Sequence, residues 1–317
     1  MANGYDQTFE DALKVARMYY HLDMTTGEIA AQLGFSRPKV SRLLTWAKQN
    51  GVVEFRIVDH RERQLALERE LEDKFGIGEV KVVPVAPTAG PERRLDQVVA
   101  FAAHYLNSIA RPNMILALAW GNTIARLSRA LIPKPLAGAQ VVQLNGSGNS
   151  GSGITYAAGI VTAFAENYGA TPHLLPVPAY FDNPKTRDAM FEERTIRRAR
   201  DLASRADVAL YSIGVPGADS YIYKAGYIEK RELDDLLAQG VVGDIGTVFF
   251  RVDGTYDDLE INKRSSGPDL KTLAGHTHAV CVVEGTHKRP GILGALAGRF
   301  MNTLIIDEPT AVSLLRA

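Results

Sequence analysis

The residues best suited to hold an anion lie in a turn at residues 120–123. Trp120-Gly121-Asn122-Thr123 ends an apolar run, and a pattern typical of an amphipathic helix follows at once. The N-terminus of a helix offers free backbone N–H groups and the positive end of the helix dipole, and Thr123 adds a hydroxyl donor. We therefore expect Gly121, Asn122 and Thr123 to bind a phosphate or a similar anion.

Other loops that follow predicted strands also carry polar residues or glycines; they are residues 145–153, 214–217, 240–244 and 284–288. Their candidate ligand-binding residues are Asn145, Gly146, Gly148, Asp244, Gly285 and Lys288. Glycine-rich backbone can form a nest of N–H donors, Asp244 can accept hydrogen bonds from sugar hydroxyls, and Lys288 can pair with a phosphate. Each loop also has a simpler interpretation, as a tight turn, a mobile loop or a solvated helix cap. No loop matches the phosphate-binding P-loop motif, and one GxGxxG-like stretch is weak by itself.

Catalytic chemistry has few candidates in this chain. Proton abstraction beside a carbonyl needs a positioned base, and the available groups are Asp244, Asp219 and His287, which no motif unites. The single cysteine, Cys281, lies in an apolar run, so we expect a buried structural thiol and neither a disulfide nor a metal site. The sequence therefore favours a protein that binds a ligand without converting it and needs no cofactor. A sugar-phosphate isomerase, deaminase or kinase-like enzyme with a fused helical head remains the alternative.

The first 58 residues are typical of a winged helix-turn-helix domain that binds DNA. After a helix at residues 8–20, Thr25 or Thr26 can cap a short helix that ends at Gly34. Ser36 can cap a second helix at once, and two short helices joined through a glycine turn form the helix-turn-helix motif. The second helix of that motif enters the major groove of DNA.

Basic residues are concentrated on this second helix, although the formal net charge of the chain is zero. Residues 35–50 contain four basic residues and no acidic one. An alternating stretch at residues 52–58 suits a wing strand. The candidate DNA-binding residues are Ser36, Arg37, Lys39, Ser41, Arg42 and Arg56. The alternative is a pair of core helices with a solvated basic face.

The rest of the chain predicts an α/β fold. Residues 59–76 are densely charged and suit an exposed linker helix between domains. From residue 77 to 317, apolar strands alternate with helical patterns, which predicts a Rossmann-like domain with a largely parallel sheet covered on both faces. In such sheets, ligands bind at the carboxyl ends of the strands. The chain lacks a signal-like N-terminus and an apolar run of membrane-spanning length, so we expect a cytoplasmic protein.

Several stretches resemble the SorC/DeoR-type bacterial transcriptional regulators that carry a C-terminal sugar-binding domain. The matching stretches are residues 26–30, 36–44, 120–123, 206–214, 243–244 and 304–311, in the same order along nearly the whole chain. This sequence departs from the family pattern near Lys288. The family's usual Ala-Gly-Gly is replaced by Val283-Glu284-Gly285, and His287 and Pro290 are unusual at their positions. No lysine lies in residues 143–153, so no imine with a sugar carbonyl can form there.

The resemblance implies a fold like that of sugar-phosphate isomerases and deaminases such as glucosamine-6-phosphate deaminase, without their catalysis. It implies a phosphorylated sugar or related metabolite as effector, operator DNA as partner, and a homo-oligomer, either a dimer or a tetramer. The family's phosphate loop corresponds to Gly121, Asn122 and Thr123, its acidic position to Asp244, and its lysine after a glycine turn to Lys288.

Overall fold

The computed structural model of the chain describes residues 2–53, 60–86, 88–147 and 156–316. It has two compact units, Met1–Asp59 and His60–Ala317. Most of the predicted wing strand, including Arg56, and the part of the glycine-rich loop that contains Gly148 lie outside the described residues. Within the described ranges, no helix is both long enough and apolar enough to cross a bilayer.

The described part of the first unit is helical. Its helices are α1 (Ala2–Tyr20), α2 (Thr26–Leu33) and α3 (Arg37–Gln49). Their apolar faces form one small core, to which α1 contributes Val15, α2 contributes Ile29, and α3 contributes Val40 and Ala47, all fully buried. Apolar residues recur three or four positions apart on each helix, and the packing of these stripes defines the unit.

Helix caps fix where α2 and α3 begin and end. The Thr25 hydroxyl accepts the N–H of Glu28, and the Glu28 carboxylate accepts the N–H of Thr25, which together make a capping box. Gly34 ends α2 in the left-handed conformation with φ of 66°. Ser36 then caps α3 by accepting the N–H of Lys39. These caps confirm the predicted pair of short helices joined by a glycine turn.

The second unit is built on a seven-stranded parallel sheet with the strand order β1-β9-β8-β5-β2-β3-β4. The strands of this sheet are β1 (Glu79–Val83), β2 (Ile115–Leu118), β3 (Gln140–Gln143), β4 (Thr171–His173), β5 (Val208–Tyr211), β8 (His278–Val283) and β9 (Thr303–Asp307). Successive residues of β2 belong to two different hydrophobic cores: Leu116 and Leu118 to one, and Ala117 to the other. Since side chains alternate across a strand, the sheet is buried on both faces, as predicted.

Helices cover both faces. They are α4 (His60–Phe75), α5 (Pro91–Ile109), α6 (Asn122–Ala130), α7 (Tyr156–Tyr168), α8 (Pro184–Glu192), α9 (Arg194–Ser204), α10 (Tyr221–Lys224), α11 (Lys230–Ala238), α12 (Leu270–Leu273), α13 (Arg289–Ala297) and α14 (Glu308–Leu315). Helices α5, α6 and α7 pack on one face, while α4, α9, α13 and α14 pack on the other. Cys281 lies fully buried in the second of these cores, where burial raises the pKa of its thiol to about 12.

The structure differs from the sequence prediction in four places, one of which is helix α4. Residues 240–244 are not a loop after a strand of the main sheet, because they belong to β6 (Val241–Ile245), which pairs with β7 (Val248–Arg251) in a separate antiparallel hairpin. The sequence pattern of residues 187–204 predicts a single helix, but this helix is broken at Glu193, whose extended ψ of 133° ends α8. The apolar pattern of residues 173–177 predicts a strand, but the strand lies earlier, at β4, where it aligns with β3.

Helix α4 is part of the second unit, whereas its charge pattern predicted an exposed linker. Its Leu71 is fully buried in the core. Glu68 and Glu72 accept the backbone N–H groups of Val82 and Val80, at 2.9 and 2.8 Å. Strand β1 lies at the edge of the sheet, where one side of the strand has no neighbouring strand. The glutamates thus satisfy the N–H groups of an edge strand, a role that a count of charges does not reveal.

We expect Leu71→Ala to lower the free energy of unfolding by about 2–5 kcal/mol, because it removes a buried side chain and leaves a cavity. Leu65 is the matched control on the same helix, since it is 52% exposed and its replacement by alanine removes little packing. Urea denaturation followed by circular dichroism measures both variants. Equal, small effects of the two substitutions would mean that α4 does not contribute to the core.

Candidate functional site

A cavity of about 360 Å³ opens at the carboxyl ends of the central strands. The loops after β2, β3, β5 and β8 all reach it, as expected for a parallel α/β sheet. Of the predicted ligand-binding residues, the cavity brings together Gly121, Asn122, Thr123, Asn145, Asp244 and Lys288. Gly146 and Gly285 do not line the cavity themselves, but each directly follows a residue that does.

The N-terminus of α6 forms one wall. Gly121 precedes the helix with φ of 149°, a conformation that favours glycine, and no described side chain caps the first turn. Thr123 is buried, and the Ser212 hydroxyl lies 3.3 Å from the Thr123 hydroxyl. The first N–H groups of α6 are therefore available to a ligand, as the turn sequence predicted.

Asn145 is the cavity residue whose side-chain hydrogen-bonding groups are left unused. Its side chain is 1% exposed, and neither its amide oxygen nor its amide nitrogen has a hydrogen-bond partner among the described residues. A buried amide without partners costs about 1–3 kcal/mol, so its presence in a cavity wall makes it a candidate for ligand contact. Because Asn145 lines the cavity, a ligand with hydroxyl groups can satisfy both atoms.

Gly146 has a structural role. Its N–H donates to the Ser266 hydroxyl at 2.9 Å, and its carbonyl accepts the indole N–H of Trp120 at 2.6 Å. A Cβ atom at this position would lie 2.4 Å from the carbonyl oxygen of Pro178. Glycine is thus required by close packing, and its amide is already occupied by Ser266.

Asp244 reaches the cavity from the hairpin. Its backbone pairs with Gly214 in both directions, at 2.9 and 3.1 Å, and a Cβ atom on Gly214 would lie 2.0 Å from the Asp244 carboxylate. Burial raises the pKa of Asp244 to about 6, although the backbone N–H of Thr247 and the charge of Lys288 oppose the shift. The carboxyl group is therefore close to half protonated under mildly acidic conditions.

The loop after β8 contributes both signs of charge. Gly285, with φ of 105°, donates its N–H to Asp307 at 3.0 Å and to Thr310 at 3.1 Å. These bonds anchor the turn that carries Lys288. Burial lowers the pKa of the Lys288 ammonium group, and the nearby carboxylates of Glu284 and Asp244 oppose that shift. Glu284 is 8% exposed, and burial raises the pKa of its carboxyl group. Burial and the charge of Lys288 both lower the pKa of His287, which favours its neutral form.

Several lining residues were missed by the sequence analysis. Ser212 follows β5 directly, and the rule that ligands bind beyond strand ends would have found it. Thr247 and Ser220 reach the cavity only through the tertiary fold, so no local signal indicates them. Of the candidate catalytic bases, Asp219 does not line the cavity; its exposed carboxylate pairs with Lys224 at 2.8 Å. Within the described residues, no group of three potential metal ligands occurs.

The first unit exposes most of the predicted DNA-binding residues. Arg37, Ser41 and Arg42 are exposed on α3, and the Arg42 guanidinium donates only a long bond, 3.4 Å, to the carbonyl of Pro38. Ser36 is exposed but serves as the helix cap.

The side chain of Lys39 is bound by other residues of the protein. Its ammonium group pairs with Asp11 at 3.0 Å and lies 3.4 Å from the centre of the Phe35 ring. Lys39 therefore tethers α3 to α1, and it has less freedom to contact DNA than Arg37 or Arg42.

Comparison with known proteins agrees with both units. Residues 59–316 match the family described as "Putative sugar-binding domain". The deoxyribonucleoside regulator of Bacillus subtilis strain 168 is 34% identical over 305 residues, which are 96% of each chain. The full-length sorbitol operon regulator SorC of Klebsiella pneumoniae has a TM-score of 0.73 at 29% identity, over 97% of this chain and 99% of that one. A domain of a possible sugar-binding transcriptional regulator from Arthrobacter aurescens TC1 has a TM-score of 0.75 at 38% identity, over 81% and 100%. The resemblance to SorC/DeoR-type regulators is confirmed.

The raised pKa of Asp244 predicts a pH-dependent stability. In the unfolded chain the carboxyl group ionises near its ordinary pKa of 3.8, whereas in the folded protein it stays protonated up to about pH 6. Folding therefore takes up a proton in this window, and the contribution of Asp244 to stability falls as the pH rises through it. We expect Asp244→Asn to raise the free energy of unfolding at pH 7.5 by about 1–3 kcal/mol, and to change it little at pH 4. Urea denaturation at both pH values measures this, with the exposed Asp219→Asn as control; a gain that is the same at both pH values would contradict it.

Proposed function

The chain belongs to the family of transcriptional regulators with a putative sugar-binding domain, and from this we propose that a phosphorylated sugar controls its affinity for operator DNA. The observation that carries the proposal is the cavity at the strand ends. There an uncapped helix N-terminus, a partly buried lysine and an amide without partners face one another. Among the described residues, the Asn145 amide has no hydrogen-bond partner and no side chain caps α6, so a sugar phosphate can bond to both and pair with Lys288.

The phosphate end of the effector is proposed to bind at α6. The N–H groups after Gly121 and the hydroxyl of Thr123 are donors at the positive end of the helix dipole. Lys288 adds a positive charge from the opposite loop. The sugar hydroxyls are then left to Asn145 and Asp244, which can accept hydrogen bonds from them.

DNA binding is proposed for α3. Its first two turns carry Arg37 and Arg42, which are exposed, and the helix follows α2 through the Gly34 turn of a helix-turn-helix motif. Two arginines near the start of this helix can bind phosphates or the edges of guanine bases. Operators of such proteins usually contain two half-sites, so we further propose that a homo-oligomer, a dimer or tetramer, binds the DNA.

The effector controls DNA binding by shifting populations. A ligand changes an equilibrium only if it binds the DNA-competent and DNA-incompetent states with different affinity. A tenfold change in operator affinity requires a coupling free energy of only about 1.4 kcal/mol. Differential binding in the cavity can supply this amount through one or two hydrogen bonds to charged groups.

The enzymatic alternative lacks support from the site. A base for aldose–ketose conversion has to lie beside the substrate carbonyl, and Asp219 is exposed away from the cavity. Asp244 and His287 line the cavity, but the relatives reported above are named regulators. A screen for aldose–ketose conversion tests this alternative, and turnover that Asp244→Asn abolishes would favour the enzyme.

For DNA binding, we expect Arg42→Ala to weaken operator affinity and to reduce the salt dependence of binding by a slope of about 0.9 per lost phosphate contact. Lys39→Ala, whose ammonium is held by Asp11, should have a smaller direct effect on DNA binding. Electrophoretic mobility shift at several salt concentrations, on the operator and on unrelated DNA, measures both. The absence of any sequence-preferring shift in the unmutated protein would count against the proposal.

For effector binding, we expect a sugar phosphate that binds to raise the melting temperature of the protein and to change its mobility-shift affinity for DNA. Thr123→Val keeps the shape of the side chain but removes its hydroxyl, so it should weaken this response while operator binding in the absence of effector persists. Arg42→Ala should do the reverse. The two-site proposal is wrong if each variant loses both properties.

A further inference from the structure

Glu284 is a buried carboxylate that the proposed phosphate and hydroxyl contacts leave unused. It follows β8 directly, lines the cavity, and is 8% exposed. Among the described residues, none donates a hydrogen bond to it, and no cation lies within ion-pair distance. A carboxylate withdrawn from water without a partner is costly, which makes this group a candidate for ligand contact.

Both signs of charge surround Glu284, but among the described residues none of these groups forms an ion pair with it. The nearest charged groups that oppose its ionisation are Asp307, which is fully buried, and Glu92. Lys288 and Arg94 act in the opposite direction. Lys288 is shared, however, since it also stabilises the charge of Asp244.

The charges that line the cavity do not balance. They are Glu92, Asp244 and Glu284 on the negative side and Lys288 on the positive side, with His287 favouring its neutral form. Glu92 pairs with Arg126 outside the lining, which leaves two carboxylates to one ammonium group. A phosphate that enters this space adds more negative charge, and repulsion between like charges grows where water is displaced.

The chemistry of the missing partner follows from this imbalance. A sugar hydroxyl can donate one hydrogen bond to Glu284 but leaves its charge uncompensated. A metal ion finds no group of three potential ligands in the described part of the chain. A protonated amine supplies both a positive charge and several donors, and hydrogen bonds between charged groups are about twice as strong as neutral ones.

Building on the proposed function, we infer that the effector is an amino sugar phosphate whose ammonium group binds Glu284 while its phosphate binds the N-terminus of α6. Asn145, with both amide atoms unpartnered, contacts the ring hydroxyls between these ends. The cavity of about 360 Å³ lies within the usual range of about 300–1,000 Å³ for small-molecule sites. Glu284 is in this view the residue that distinguishes amino sugars from their hydroxyl counterparts.

Matched ligand pairs test the inference directly. Isothermal titration calorimetry of the full-length protein at pH 7 compares glucosamine 6-phosphate with glucose 6-phosphate, and the galacto and manno pairs likewise. Within each pair, only the amine and hydroxyl at one carbon differ. We expect the amino member of at least one pair to bind about tenfold more tightly or better, because it alone forms an ion pair.

Glu284→Gln keeps the shape of the side chain and removes its charge, so the preference for the amino member should fall to about twofold or less. Asp96→Asn removes one exposed carboxylate outside the cavity and should leave the preference intact. Melting curves of both variants verify folding.

The possible failures point to different errors. If hexose phosphates bind as well as hexosamine phosphates in every pair, or if Glu284→Gln retains the preference, the role of Glu284 is wrong while the phosphorylated-sugar effector stands. If no sugar phosphate of either kind binds, the proposed effector class is wrong, and the inference fails with it.

Discussion

The backbone pairing between Gly214 and Asp244 is the interaction on which the site depends. Gly214 ends the segment after β5 in the parallel sheet, and Asp244 belongs to the antiparallel hairpin, so this pairing joins the two sheets. It holds a carboxylate against a glycine that has no room for a side chain. This pairing places the hairpin beside the carboxyl ends of the parallel strands, so that residues of both sheets line the cavity.

The position of Asp244 beside the strand ends determines which charges meet in the cavity. Asp244 and Glu284 approach Lys288 from different elements, and burial penalises the charge on all three. Among the described residues that line the cavity, the Lys288 ammonium group is the one cation beside these two carboxylates, and the Asn145 amide has no hydrogen-bond partner. A site with so many unsatisfied groups is poorly stabilised when empty, and a ligand of matching polarity gains the interactions that the protein itself does not provide.

The first unit is ordered mainly by hydrogen bonds between residues close in sequence. Local hydrogen bonds at Thr25 and Ser36 fix the helix starts, and Gly34 fixes the turn between them. Among the described residues of this unit, the ion pair between Lys39 and Asp11 is the one that brings together charges distant in sequence. The arginines of α3 are left exposed by the same geometry that buries Val40 and Ala47.

Local physical rules account for what could be predicted from the amino-acid sequence. Caps, glycine turns and apolar periodicity depend on residues a few positions apart, so they correctly indicated α2, α3 and the parallel sheet, and they predict an anion-binding turn before α6. The resemblance of short motifs to known regulators correctly indicated the family. The loops carrying Asn145 and Lys288 were predicted as candidates because ligands bind beyond strand ends in parallel sheets, and both residues line the same cavity.

Tertiary structure alone decided the remaining features, because they depend on residues distant in sequence. The glutamates of α4 appeared to be solvated charges, yet they bind the backbone of an edge strand. Asp244 lies on a strand of a second sheet, and only the crossing of that hairpin with β5 brings it to the cavity. The charged surroundings of Glu284 arise in the same way, since Asp307, Lys288 and the two α5 residues Glu92 and Arg94 come from three separate elements that only the folded chain assembles.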